Sequence, residues 1–195
     1  DISGGWTDTP LTERGQRQAQ AVANRLFDMF DSRDFTLFSS DLMRASETAE
    51  KISKRFNREL IILRNLRELN NGVAVGLPIS EARKIMNPTS NPLVDWIPFE
   101  GAESWRMLYE RAERVLQEIE REESKCAVIV SHGNMIRCII SVWLGLPPDS
   151  GINFDQHTCN ITWLRVNNLG ERTIKKLNDC GHLAVLELEN NITHH

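Results

Sequence analysis

The run Cys126-Ala127-Val128-Ile129-Val130, followed at once by Ser131-His132-Gly133-Asn134, constrains this chain more than any other feature in it. Its apolar residues do not alternate with polar ones. The strand they predict is therefore covered on both faces, as in a parallel sheet packed between helices. A turn at Gly133 and a helical pattern from Met135 to Leu144 follow, and Gly145 and Pro147 stop that helix. Ligands of open α/β sheets bind beyond the carboxyl ends of strands, where His132 falls. The backbone N–H groups at Gly133 and Asn134 open a helix and can face an anion. By position alone, a histidine hydrogen-bonded in a loop competes evenly with a functional one.

The same unit occurs earlier. Phe35-Thr36-Leu37-Phe38 predicts a short strand, Ser39-Ser40-Asp41 closes it, and Ala45, Thr48, Ala49, Ile52 and Phe56 line one face of a helix. Arg44 lies in that helix's first turn, an unfavourable place for an isolated cation, which points to an anionic partner. Its guanidinium can grip a phosphate with two parallel hydrogen bonds; a solvated arginine is the competing reading. Leu60-Ile61-Ile62-Leu63 predicts a third strand, and Leu66-Arg67-Glu68 follows it. A carboxyl there can give a proton to a leaving oxygen, although a surface glutamate is the plainer reading of Glu68 taken by itself.

Around these units the pattern is regular. Residues 1–10 read as a loop, and Thr12 caps a helix whose apolar face holds Ala19, Val22, Ala23, Leu26 and Phe30. Trp105, Leu108, Ala112, Val115, Leu116 and Ile119 form the stripe of a long amphipathic helix, and residues 159–166 and 172–177 predict the last two strands. Residues 70–102 are irregular, with a short helix from Ile79 to Met86, and read as a cap on the substrate side of a single domain spanning residues 1–195. Leu93, Trp96, Pro98 and Phe99 either wall a pocket there or form the cap's own small core, the latter favoured. The expected fold is α/β, a three-layer sandwich with a mostly parallel sheet and helices on both faces.

Charge narrows the partners. Lys and Arg number 23 against 27 Asp and Glu, a net charge of −4, so a nucleic-acid partner is not expected and an anionic substrate needs a local cluster of cations. Cys126, Cys138, Cys159 and Cys180 lack zinc-ligand spacing, and neither a metal nor a cofactor is expected. Cys126 and Cys138 lie in apolar runs and read as buried free thiols. That suggests a reducing compartment and a cytoplasmic location. No apolar run approaches the roughly 18 residues of a membrane span, so no membrane partner is expected. His194 and His195 are given no role, and no feature sets an oligomeric state.

Together these pieces resemble the histidine phosphatase superfamily, the phosphoglycerate-mutase-like proteins. Asp8-Thr9-Pro10-Leu11-Thr12-Glu13-Arg14-Gly15 is similar to the segment after that family's nucleophile. Ser39-Ser40-Asp41-Leu42 with Arg44-Ala45 resembles its second phosphate-binding motif. Gly101-Ala102-Glu103-Ser104 with Tyr109-Glu110-Arg111 resembles its G-E-S helix start, and Val130-Ser131-His132-Gly133 resembles its second histidine motif.

The resemblance implies a small phosphorylated substrate. It implies that Arg44 binds phosphoryl oxygens, that His132 flanks a phosphohistidine, and that Glu68 is the proton donor. It also implies that Gly4 and Gly5, in a Gly4-Gly5-Trp6 loop, and Gly133 and Asn134 contact substrate. The family's nucleophile lies in an Arg-His-Gly motif on a first strand. Here no histidine precedes His132, so that strand is expected to be missing from this sequence. A phosphatase is the expected activity, a phosphoglycerate-type mutase the alternative, and a non-catalytic phospholigand binder the third reading if the nucleophile is truly absent.

Overall fold

A computed structural model describes residues 2–30, 34–122, 126–184 and 186. His194 and His195 lie outside the described residues. Its elements, in chain order, are α1 (Glu13–Met29), β1 (Thr36–Ser39), α2 (Met43–Phe56), β2 (Leu60–Ile62), α3 (Ile79–Lys84), α4 (Trp105–Glu120), β3 (Ala127–Val130), α5 (Gly133–Trp143), β4 (Ile161–Val166) and β5 (Arg172–Asp179).

β1 is the middle strand of a parallel sheet ordered β2-β1-β3, with Phe38 level with Ile61 on one side and Ile129 on the other. Successive side chains of a strand point to opposite faces. Leu37 accordingly packs with Val22, Ala23 and Leu26 of α1 and Ile52 and Phe56 of α2. Phe38 packs on the other side with Leu108, Ala112 and Val115 of α4 and Met135, Cys138 and Ile139 of α5. Two cores on two faces of one sheet make the expected three-layer sandwich.

Helix α1 starts where the sequence predicts, with the Thr12 side chain accepting a hydrogen bond from Gly15 N at 3.1 Å. The N-terminus of α2 is capped from a distance: Met43 N donates to Asp8 Oδ1 at 2.7 Å, which ties the 2–10 loop to the helix that carries Arg44.

The last two strands differ from a continuation of the parallel sheet. β4 and β5 form an antiparallel two-stranded sheet of their own, and β5 runs on to Asp179. Residues 167–171 are too few for a crossover connection, so the pair can only be a hairpin. Among the described residues no strand pairs with the free edge of β3 or of β4. Ile161 of β4 nevertheless shares a core with Val128 and Val130, and Leu164 packs against the core that Ile129 also joins. β3 was expected to be buried on both faces. Instead Ala127 is exposed and Val128, Ile129 and Val130 are only half-buried, because one flank of the strand is open.

Between residues 70 and 102, Ala74, Ala82, Phe99 and Ala102 form a small separate core. Gly72 lies at φ 52°, and a Cβ there would fall 2.1 Å from Glu100 O, so only glycine lets these two stretches meet. Of the residues expected to form this core or wall a pocket, only Phe99 is buried. Leu93 is 63% exposed, and Trp96 turns its indole N–H to Pro88 O.

Candidate active site

The site forms where β1, β2 and β3 end. His132 leaves β3 as the N-cap residue of α5, and its Nε2 shares a 2.9 Å hydrogen bond with Ser40 Oγ just beyond β1. His132 is 7% exposed and Ser40 fully buried. Burial, reinforced by the nearby positive charges of Arg44 and Arg111, pushes the imidazole pKa down to about 3, so the ring is neutral at physiological pH.

This sets an acid limit on the fold. An unfolded histidine takes up a proton near pH 6.5, whereas the folded one refuses it down to about pH 3. The unfolded chain therefore binds the extra proton inside that window, and stability, complete above about pH 6.5, falls as pH falls through it. Between pH 7 and pH 4.5 the native protein is expected to lose about 2–3 kcal/mol more than His132→Gln does. Urea unfolding of both at the two pH values checks this, and equal losses would refute it.

Arg44 projects from the first turn of α2 into the 4–7 loop. Its two terminal nitrogens donate to Thr7 O at 2.6 Å and Gly5 O at 2.8 Å. The guanidinium carries five N–H groups, and the donors not used on those carbonyls have no protein partner among the described residues. Burial lowers its pKa, and the charges of Glu68 and Asp8 oppose that shift, so the three charges lie in one neighbourhood. Arg44 also lines an open cleft of about 440 Å³ with Thr9, Arg14, Gln18 and Thr158.

Glu68 reaches the same place from the loop after β2. Its Oε1 accepts from its neighbour Leu69 N at 2.7 Å, and its Oε2 accepts from Asn134 N at 3.3 Å in the first turn of α5. A carboxylate at the positive end of a helix is favourably placed. That N–H, which the sequence offers to a phosphate, is thus directed at Glu68. Gly133 begins α5 with its open side toward Glu68 Oε2, 3.9 Å from where a Cβ would stand. Gly5 lies at φ 62°, and a Cβ there would fall 2.8 Å from Leu69 O. Gly4 has open space around it, and its carbonyl accepts from the Thr7 hydroxyl at 2.8 Å.

The structure therefore gathers His132, Arg44, Glu68, Gly5, Gly133 and Asn134 around one region, with Gly4 on its rim. Three supporting contacts escaped the sequence reading. Trp6 Nε1 donates to Glu68 O at 2.7 Å. Arg67 makes two 2.7 Å hydrogen bonds to Asp41, whose carboxyl is held below its usual range by them. Arg111, 7% exposed, pairs with Glu103 behind Glu68. Only the last left a signal: Arg111 stands on the buried face of α4, between Leu108 and Val115.

Cys138 is buried as expected and its thiol is pushed up to about 12 by burial, so it is a poor nucleophile. Cys126 is only half-buried, because it leads into the strand with the open flank.

The profile of the histidine phosphatase superfamily (branch 1) matches residues 1–180, and the chain belongs to that superfamily. It is 29% identical over 193 residues to the mitochondrial serine/threonine-protein phosphatase Pgam5 of Drosophila ananassae, covering 93% of this chain and 60% of that protein. It is 32% identical over 163 residues to the probable phosphoglycerate mutase GpmB of Shigella boydii, covering 81% of this chain and 74% of that one. A mycobacterial glucosyl-3-phosphoglycerate phosphatase, solved as a complex with VO3, superposes with a TM-score of 0.73 at 25% identity, covering 91% of this chain and 90% of the other. The chain thus spans about 60% of the length of the Pgam5 relatives it matches.

Proposed function

We propose that the protein hydrolyses phosphate monoesters through a phosphohistidine intermediate. The observation that carries this reading is the meeting of a buried neutral His132, a partly unsatisfied Arg44 and the Glu68 carboxyl group at the ends of three parallel strands. Family membership and relatives named as phosphatases support it.

The chemistry needs one more group, a histidine to attack phosphorus. No histidine precedes His132 in this sequence. We assign the nucleophile to a strand that pairs with the open edge of β3, between β3 and β4. That flank is unpaired among the described residues, and β4 contributes to both cores without pairing with β3. A strand running parallel to β3 delivers the residue at its carboxyl end beside His132.

From there the imidazole attacks phosphorus in line, forming a P–N bond as the ester P–O bond breaks. Arg44 and His132 hold the equatorial oxygens, and Glu68, entering this step as the carboxylic acid, gives its proton to the departing alkoxide and is left as the carboxylate. Water, relieved of a proton by Glu68, then cleaves the P–N bond and returns phosphate and free histidine.

The full-length protein is expected to release inorganic phosphate from alkyl phosphates at the same rate with or without chelator. It is also expected to trap label from a radioactive substrate as an acid-labile, base-stable phosphoenzyme. Phosphate binding without turnover or label would leave a non-catalytic binder. The named mutase relative keeps a second reading in view: with a phosphoglycerate, movement of the label to the other hydroxyl in place of release to water would establish it. A reducing compartment such as the cytoplasm suits the four thiols, and cell fractionation tests that placement.

A further inference from the structure

Arg111 is a buried cation for which the chemistry above has no use. Burying a charge is costly unless it is paired and its donors are satisfied. Its Nε donates to Glu103 Oε1 at 2.8 Å and one Nη to Glu103 Oε2 at 2.6 Å, the two-pronged geometry available to a guanidinium. The remaining donors all go to one short stretch of backbone: Asn65 O at 2.8 Å, Arg67 O at 2.7 Å and Glu68 O at 3.0 Å. Glu103 holds the far side of the same stretch, accepting from Asn70 N at 2.9 Å. Two neighbouring contacts complete the fixation. Ser131 Oγ, beside His132, donates to Leu66 O at 2.7 Å, and Trp6 Nε1 donates to Glu68 O.

A loop with that many carbonyls turned toward one cation has no freedom to carry its side chain elsewhere. A surface ion pair would not need such a cradle.

We infer that the buried Arg111–Glu103 pair is the positioning device for Glu68, fixing the backbone of residues 65–70 so that its carboxyl faces the reacting phosphoryl group. Arg111 touches neither substrate nor the reacting atoms and is therefore a positioning residue, not a catalytic one. Its charge also reaches His132, where it helps to keep the ring neutral. The inference rests on the phosphatase reading and on Glu68 as proton donor.

The test uses the full-length protein and two substrates, glycerol phosphate with a poor leaving group and p-nitrophenyl phosphate with a good one. Arg111→Lys keeps the charge and loses the fork. It is expected to lower kcat/KM for glycerol phosphate, which reports phosphoenzyme formation alone, by about 10²-fold, the cost typical of displacing a catalytic group by an ångström. The kcat/KM for p-nitrophenyl phosphate should change less than about threefold, because its leaving group needs no acid, whereas kcat for both substrates can fall through the shared water step that Glu68 also serves. Glu103→Gln keeps the shape of the acceptor and should show the same split in weaker form, so the inference stays testable if Arg111→Lys fails to fold.

In the Glu68→Gln background, Arg111→Lys should slow glycerol phosphate hydrolysis no further, because both act through one proton transfer. An equal loss of kcat/KM for both substrates, or additive losses in the double variant, would overturn the positioning role. Glu68→Gln alone separates the two levels: if that variant shows no dependence on the leaving group, the proton-donor reading falls and the positioning inference falls with it.

Discussion

Glu68→Gln is expected to slow phosphoenzyme formation from alkyl phosphates, read as kcat/KM, by about 10² to 10⁴ while changing that from activated aryl phosphates far less. An alkoxide is a strong base and leaves phosphorus only as it is protonated, so the barrier contains the whole benefit of a placed acid. A nitrophenolate leaves unaided, so the same substitution removes little. Glutamine keeps the length and shape of glutamate and one carbonyl oxygen to accept from Leu69 N or Asn134 N, so the loop has reason to stay where it is. A gain or loss of KM alone would mean that Glu68 binds the substrate in its ground state. An equal loss of kcat/KM for both leaving groups would move the proton to another carboxylate, and Asp8 is the next candidate, since its charge also acts on Arg44.

How much of this was legible in the sequence depends on whether a feature is local. The helices α1 and α4 announce themselves through their apolar stripes, and Thr12 and Ser104 cap them where each pattern begins. The strands β1 and β2 read as short apolar runs and pair as the α/β pattern requires. The ends of β1 and β3 place Arg44 and His132 because strand-turn-helix units put residues there by construction.

What could not be read is non-local. The hydrogen bond from Met43 N to Asp8, the Ser40 partner of His132 and the three carbonyls around Arg111 are contacts across 35 to 92 residues, and no periodicity encodes them. A missing strand was expected from the absent Arg-His-Gly motif, but which edge it leaves open is not written in the β3 run itself. Val128, Ile129 and Val130 look like fully buried residues in the sequence, and they are half-exposed only because no described strand lies beside them.

That flank leads to the largest expected effect. A polypeptide of residues 1–195 alone is expected to bind phosphate or vanadate weakly and to turn over nothing. The same chain with an upstream strand bearing Arg-His-Gly is expected to hydrolyse monoesters at enzymatic rates. Arg44 and His132 already stand in place, and a hydrogen bond to a charged group contributes roughly 1.5–3 kcal/mol, enough for weak anion binding. Charge stabilisation without an attacking group leaves only direct attack by water. In enzymes stripped of their nucleophile that residual rate is a small fraction of the whole, down by about 10⁶-fold in the best-measured case.

The strand matters for the fold as well. Pairing with β3 would cover Val128, Ile129 and Val130 and join β4 to the parallel sheet, whereas an unpaired apolar edge invites association between chains. The shorter polypeptide should therefore also be less stable and more prone to aggregate. Expressing both side by side, with phosphate release, phosphoenzyme labelling and light scattering as readouts, decides the matter. Comparable turnover in the two, with no labelled phosphohistidine in either, would place the nucleophile somewhere other than the open edge of β3.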